Sequence, residues 1–224
     1  MLYNRNMSNS NHISAMNELS ASEGVFTAAQ AARLGITRNA LSQAVASGRA
    51  DRIFHGAYKL SGIPGHYTDE LAALWKLTSP AAFTHERMRA GAWDGIAIGG
   101  STAASLLGIG DFYLSPYRIY TPKRINSRIA AVSFATRSID PHDVTRLEGL
   151  PVTRMERTLV DLCLDHEDPS LIANAFADAM SQGASPDRVR DIAESQPRRK
   201  SVQNALSPIN SLLVNAEEGK RHEV

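Results

Sequence analysis

The stretch Phe26-Thr27-Ala28-Ala29-Gln30-Ala31-Ala32-Arg33-Leu34-Gly35-Ile36-Thr37-Arg38-Asn39-Ala40-Leu41-Ser42-Gln43-Ala44-Val45-Ala46-Ser47-Gly48 decides the fold of the N-terminal part. It reads as two short helices joined by a tight turn. Thr27 stands directly before an alanine-rich run, where its hydroxyl can accept from the free N–H groups of a first helical turn, and Gly35 marks the stop. Thr37 offers the next cap, and residues 38–47 form a helix ended by Gly48.

Upstream of this pair, Ile13, Met16 and Leu19 recur at three-residue spacing and predict one amphipathic helix over residues 12–22. Residues 1–11 are polar and read as a disordered leader. Downstream, residues 51–54 and 57–60 read as two short strands around the turn His55-Gly56. Helix, turn, helix and hairpin together predict a winged helix-turn-helix over residues 12–62. The run Ser61-Gly62-Ile63-Pro64-Gly65 is dense in chain breakers and marks the expected linker.

Beyond the linker, residues 68–78 carry Leu71, Leu74, Trp75 and Leu77 on what reads as a half-buried helix. A less regular helical stretch follows through Glu86 and Arg89. Ile96-Ala97-Ile98 leads into Gly99-Gly100-Ser101 and a helix to Leu107, while residues 117–120 and 130–134 have strand composition. Thr153 and Glu156, three apart, read as a capping box for a helix running to Asp165, and residues 168–181 and 186–194 read as further helices. The expected fold class is α+β: the winged helix-turn-helix, then a mixed α/β domain over residues 68–195. Residues 196–224 read as a polar tail whose terminal helix, from Pro208, docks loosely or frays.

A chain of 224 residues is long enough for two cores, and 43% hydrophobic with 21% charged residues is the balance of a folded globular protein. No apolar run is long enough to span a bilayer and no signal peptide is present, which predicts a cytoplasmic protein without a membrane partner. The lone Cys163 lies in an apolar run, which excludes an intrachain disulfide and argues for a buried structural thiol. A net charge of +1 decides nothing by itself. From Thr37 to Leu60, however, Arg38, Arg49, Arg52 and Lys59 face Asp51 alone.

The helix over residues 38–47 turns Leu41 and Val45 inward, which leaves Arg38, Asn39, Ser42 and Gln43 on the opposite side. That face is polar without being acidic, and these side chains are the ones that pair with base edges in the major groove. Arg49, Arg52 and Lys59 surround the hairpin, where they would neutralise phosphates or enter the minor groove, and Thr37 would donate to a phosphate from the helix N-terminus. The alternative is a winged helix that only docks another protein. Two further signals are better explained by structure than by chemistry. Gly99-Gly100-Ser101 lacks the lysine of a phosphate loop and reads as a helix cap. Cys163 and His166, one helical turn apart, have no third partner nearby.

Several of these segments together resemble a known family. Residues 26–31 with Gly35-Ile36, and His55-Gly56-Ala57-Tyr58, resemble the N-terminal domain of AbiEi-type antitoxins, transcriptional regulators of type IV toxin–antitoxin systems. Residues 98–104 and 151–161 are similar to segments of the second domain of the same proteins, so the resemblance spans about residues 24–180. It implies an autorepressor that binds inverted repeats of double-stranded DNA in its own promoter and opposes a cognate nucleotidyltransferase-like toxin. It implies DNA-binding roles for Thr37, Arg38, Asn39, Ser42, Gln43, Arg49, Arg52 and Lys59, with no cofactor, metal or catalysis. It names no residue for toxin neutralisation. Two competitors are an enzyme, nuclease-related or hydrolytic, that uses a winged helix to find DNA, and a repressor answering to a small molecule held in the second domain. Related chains often continue into a nuclease-like domain, whose Glu-x-Lys pattern appears here only as Glu218-Gly219-Lys220, outside any apolar strand.

Overall fold

A computed structural model of the chain describes the backbone of residues 9–89 and 91–222 and the side chains of residues 11–89 and 91–216. It divides into two units, Met1–Asp94 and Gly95–Val224. Of the leader expected over residues 1–11, residues 1–8 lie outside the described residues, and residues 9–11 already belong to the first helix. No helix among the described residues is long and apolar enough to cross a membrane.

The first unit opens with α1 (Asn9–Glu23), β1 (Phe26–Thr27), α2 (Ala28–Arg33) and α3 (Arg38–Ala46), followed by the antiparallel pair β2 (Ala50–Phe54) and β3 (Ala57–Leu60). Thr27 caps α2 in a reciprocal box: its hydroxyl accepts from the Gln30 amide at 3.0 Å, and the Gln30 side-chain oxygen accepts from the Thr27 amide at 2.9 Å. Gly35 takes φ +78°, a left-handed value open to glycine, so the chain reverses into α3 within a few residues. Phe26 and Thr27 also pair with Tyr58 and Ala57, giving a three-stranded sheet of order β1-β3-β2. This strand went unread in the sequence because two residues carry no alternation to detect. Met16, Leu19, Phe26, Ile36, Leu41 and Ala44 fill the core between helices and sheet.

The domain boundary expected at residues 61–65 is corrected by α4 (Asp69–Leu77) and α5 (Thr84–Arg87), which belong to this first unit. Ala73 and Leu77 of α4 pack with Val25, Ile53, Phe54 and Ala57. The physical reason is that so small a sheet is marginal by itself and must bury its second face against a helix. Polar ties close the arrangement. The Glu23 carboxylate pairs with the Lys76 ammonium, and both side chains are almost fully buried. It also accepts from the Thr84 amide at 3.1 Å and from the Thr84 hydroxyl at 2.5 Å. Gln30 donates to the Ala82 carbonyl at 2.8 Å, and Arg33 grips Glu86 through two bonds of 2.6 and 2.7 Å.

The second unit contains β4 (Ala97–Ile98), α6 (Gly100–Leu107), β5 (Tyr117–Thr121), β6 (Val132–Thr136), β7 (Val144–Leu147), β8 (Leu150–Thr153) and the helices α7 (Met155–Leu164), α8 (Pro169–Ser181), α9 (Pro186–Glu194), α10 (Lys200–Ala205) and α11 (Ser207–His222). Its five-stranded sheet has the order β6-β5-β4-β8-β7, with β5/β6 and β4/β8 parallel and the other neighbours antiparallel. The α+β class thus stands. Residues 196–224 are corrected from a loosely docked tail: Leu206, Ile209 and Leu213 are buried with Leu159, Leu162, Ile172 and Phe176 in the helical core. Glu218 and Lys220 lie on the helical backbone of α11, not on a strand. Thr153 is not a helix cap either. It ends β8, and its hydroxyl meets that of Thr158 at 2.7 Å, while the Glu156 carboxylate accepts from the Ser185 amide at 3.1 Å.

A buried ionic lattice ties α7 to the sheet. Arg118 donates to Asp165 through bonds of 3.0 and 2.7 Å, and the Tyr120 hydroxyl adds a third of 2.7 Å. Arg137 bridges Asp165 and Asp161, each at 2.8 Å, and Arg157 reaches Asp161 at 3.1 Å. Burial would raise the Asp165 carboxyl, but the two guanidinium groups and the phenol hold it below the usual range. Asp161 is different. It is fully buried, its second oxygen Oδ2 has no hydrogen-bond partner, and desolvation outweighs Arg157 and Arg137 to push it up to about 6.

Two outcomes follow. Lys76→Met strands the Glu23 charge and should cost about 3 kcal/mol or more in urea unfolding, whereas the double variant Glu23→Gln/Lys76→Met should regain most of it. Equal losses in the single and double variants would contradict this. For Asp161, a folded value above the ordinary one means that protonation stabilises the fold. That contribution is full in acid below the ordinary aspartate range and is lost as pH rises through about 6. The unfolding free energy of the wild type minus that of Asp161→Asn should therefore fall between pH 4 and pH 7, roughly the interval separating the two values. A pH-independent difference would refute it.

Candidate nucleic-acid interface

Thr37 begins α3, and its hydroxyl oxygen accepts from the Ala40 amide at 3.1 Å, as a cap should. Ala40, Leu41 and Ala44 are buried, so the helix turns one apolar stripe inward and leaves Arg38, Asn39, Ser42 and Gln43 exposed. Val45, expected on the inner stripe with Leu41, is only half-buried, and Ala44 takes its place. Arg38, Asn39, Ser42 and Gln43 make no side-chain hydrogen bond or ion pair within the described structure. Their donors and acceptors are free for an external partner.

The end of α3 is tied directly to the hairpin. Gly48 takes φ +69°, its amide donates to the Val45 carbonyl at 3.0 Å, and the Arg49 amide donates to the Ala44 carbonyl at 2.8 Å. This turn delivers the chain into β2 with Arg49 exposed, its Nε donating to the Ser47 hydroxyl at 3.0 Å. Arg52 is exposed on β2 and donates to Nδ1 of His55 at the hairpin turn. The strand carrying Arg52 is irregular, with a register shift between Arg52 and Phe54.

Lys59 is the exception among the basic residues expected at this face. Its residue is buried, and its ammonium is spent on the Asp69 carboxylate and on the Pro64 carbonyl at 2.7 Å. Alternation explains the correction. In β3, Ala57 and Lys59 are the buried positions and Tyr58 and Leu60 the half-buried ones, so Lys59 points to the side that α4 covers. His55 was read in the sequence only as a turn residue. Its exposed ring beside Arg52 adds a polar group to the hairpin tip, and the one signal for it was its place in a turn flanked by basic residues.

Cys163 and the Gly99-Gly100 pair, the other residues singled out in the sequence, have structural surroundings. Burial pushes the Cys163 thiol up to about 11, far from a reactive thiolate. Gly99 and Gly100 serve packing: a methyl group on Gly99 would overlap the Tyr120 ring, and one on Gly100 would stand 2.8 Å from Asp165. Thr102 in the following helix bonds the chain around β5, donating to the Leu114 carbonyl at 3.0 Å and accepting from the Arg118 amide at 2.8 Å. Among the described residues, no three histidine, cysteine or carboxylate side chains converge as metal ligands do.

Known proteins bear on this geometry in two ways. No curated protein matches the chain. Among solved structures, the crystal structure of the RV2827C protein from Mycobacterium tuberculosis is similar in fold, with a TM-score of 0.56 over 90% of this chain and 76% of that one, at 18% sequence identity. The family model for "Transcriptional regulator, AbiEi antitoxin" matches residues 14–60, which run from α1 to the last residue of β3. It does not extend to residues 98–104 and 151–161, which carry the rest of the resemblance. Over residues 14–60, the likeness to AbiEi antitoxin transcriptional regulators holds.

Proposed function

We propose that the first unit is a winged helix-turn-helix that binds duplex DNA, with α3 as the reading helix and the β2–β3 hairpin as the wing. The observation that carries this reading is the unpaired outer face of α3. Arg38, Asn39, Ser42 and Gln43 stand exposed there without a carboxylate among them. Arginine, asparagine and glutamine match the donor and acceptor pattern of base edges, so these residues select sequence. Arg49, Arg52 and the Thr37 hydroxyl contact phosphates, and His55 joins Arg52 at the wing tip. Lys59 has no part in this face.

The match of residues 14–60 to AbiEi antitoxin transcriptional regulators supports the wider reading. In that reading the chain is a non-catalytic cytoplasmic autorepressor that occupies an inverted repeat in its own promoter, one copy per half-site. The mixed α/β unit from Gly95 onward serves as the antitoxin part, opposing a nucleotidyltransferase-like toxin. An enzyme that finds DNA through its winged helix would need a reacting group. The buried thiol and the buried, guanidinium-paired Asp161 and Asp165 of the second unit argue against one.

Binding of the purified chain to its own upstream duplex, against a scrambled duplex at two salt concentrations, tests this directly. Tight, selective binding that weakens with salt is expected. Arg38→Ala and Gln43→Ala should erase the preference for the native sequence, whereas Arg52→Ala should weaken both duplexes alike and flatten the log–log salt slope by roughly 0.9. Absence of any preference for the native duplex would refute sequence reading by α3.

A further inference from the structure

We infer that the first unit holds a second binding site, for a small apolar carboxylate, placed where its occupant competes with DNA for Arg49. A cavity of about 310 Å³ lies between α1, the end of α3 and the end of β3. That volume is at the lower end of ligand sites, enough for a single-ring molecule. Its apolar lining comes from Ile13 and Met16 of α1, Ala44 of α3 and Leu60 of β3. Its polar lining residues are Asn17, Arg49 and Ser61, of which Arg49 and Ser61 are neighbours in space. These two are held together by the backbone, because the Ser61 amide donates to the Arg49 carbonyl at 3.0 Å.

The Arg49 and Ser61 side chains have unused capacity. The Arg49 guanidinium spends only Nε, on the Ser47 hydroxyl, so its two terminal nitrogens are without partners among the described residues. The Ser61 hydroxyl is buried and makes no hydrogen bond, although such a group normally finds one. No carboxylate lines the cavity. A largely apolar pocket whose lining includes one cation, one hydroxyl and one amide, and no carboxylate, calls for a ligand with an apolar body and a single anionic head. A small aryl or branched-alkyl carboxylate has that form, its two oxygens matching the guanidinium fork. A phosphate ester would leave its extra charge and oxygens against Ile13, Met16 and Leu60.

Occupancy and DNA binding draw on the same residue. The inference about competition rests on the proposed phosphate contact of Arg49, whereas the site itself does not. A carboxylate seated on Arg49 removes that cation from the DNA face and adds an anion beside it, so the ligand acts as an inducer of the operon.

The test is an amide chemical-shift titration of the full chain, without DNA, using benzoate and its uncharged counterpart benzyl alcohol. Saturable shifts at the amides of Gly48, Arg49 and Ser61 are expected, with benzoate bound about tenfold more tightly than benzyl alcohol. Arg49→Gln, whose spectrum also reports whether it folds, should abolish that advantage and leave benzyl alcohol binding unchanged. No saturable shift at these amides, or equal affinity for the two probes in the wild type, overturns the site. With duplex present, saturating benzoate should weaken wild-type binding about fivefold and leave Arg49→Gln unaffected. Benzoate binding without any change in duplex affinity overturns the competition. Failure of the free chain to bind duplex at all overturns the DNA reading and the competition with it, while the titration still decides the site.

Discussion

The buried Glu23 carboxylate is the constraint on which the first unit depends. It sits at the end of α1 and gathers the Lys76 ammonium of α4 with the amide and hydroxyl of Thr84 in α5. Burial raises the cost of its charge, yet these partners hold its pKa below the ordinary value, so the carboxylate stays ionised and needs all of them. A buried ion pair adds little net stability over a well-packed apolar pair, but removing one partner leaves a buried charge uncompensated and is costly. Glu23 fixes α4 and α5 against the three-stranded sheet, whose second face would otherwise stay open to water.

The same logic recurs in the second unit with more partners. Asp161 lies on α7 and Asp165 caps its C-terminus four residues later, which brings both carboxylates to one side of the helix end, and three arginines from β5, the segment after β6, and α7 itself converge on them. Residues 98–104 and 151–161 meet at this lattice. Gly99 and Gly100 approach Tyr120 and Asp165 more closely than any side chain would allow, and Asp161 belongs to the other segment. Close packing and ion pairing account for these residue types.

The outer face of α3 is built on the opposite principle. Its polar side chains are left unpaired, on a helix whose inner stripe, caps and C-terminal glycine turn are all satisfied internally. A rigid helix with free donors suits base readout, because little conformational freedom remains to be lost on binding. Arg49, exposed just past the end of this helix, also lines the cavity beside α1.

Much of the first unit was legible in the sequence, since local rules produce it. Thr27 and Thr37 announce caps, Gly35 and Gly48 announce left-handed stops, and the breaker pair His55-Gly56 announces a hairpin, each through interactions within a few residues. The exposed set Arg38, Asn39, Ser42 and Gln43 followed from helical period alone. Elsewhere the chain gave no local sign. Phe26 and Thr27 form a strand only because β3 is there to pair with them. Thr153 ends a strand instead of capping a helix because β4 and β7 claim its backbone neighbours. Lys59 looked like a cation for phosphate until Asp69, ten residues on, took its charge, and the breakers at residues 61–65 looked like a boundary until Lys76 met Glu23. Caps, turns, helical faces and the hairpin are settled by neighbours along the chain and could be read from it. Where the first unit ends and which basic residues remain free depend on burial and ion pairing with partners distant in sequence, so they emerge only once the chain is folded.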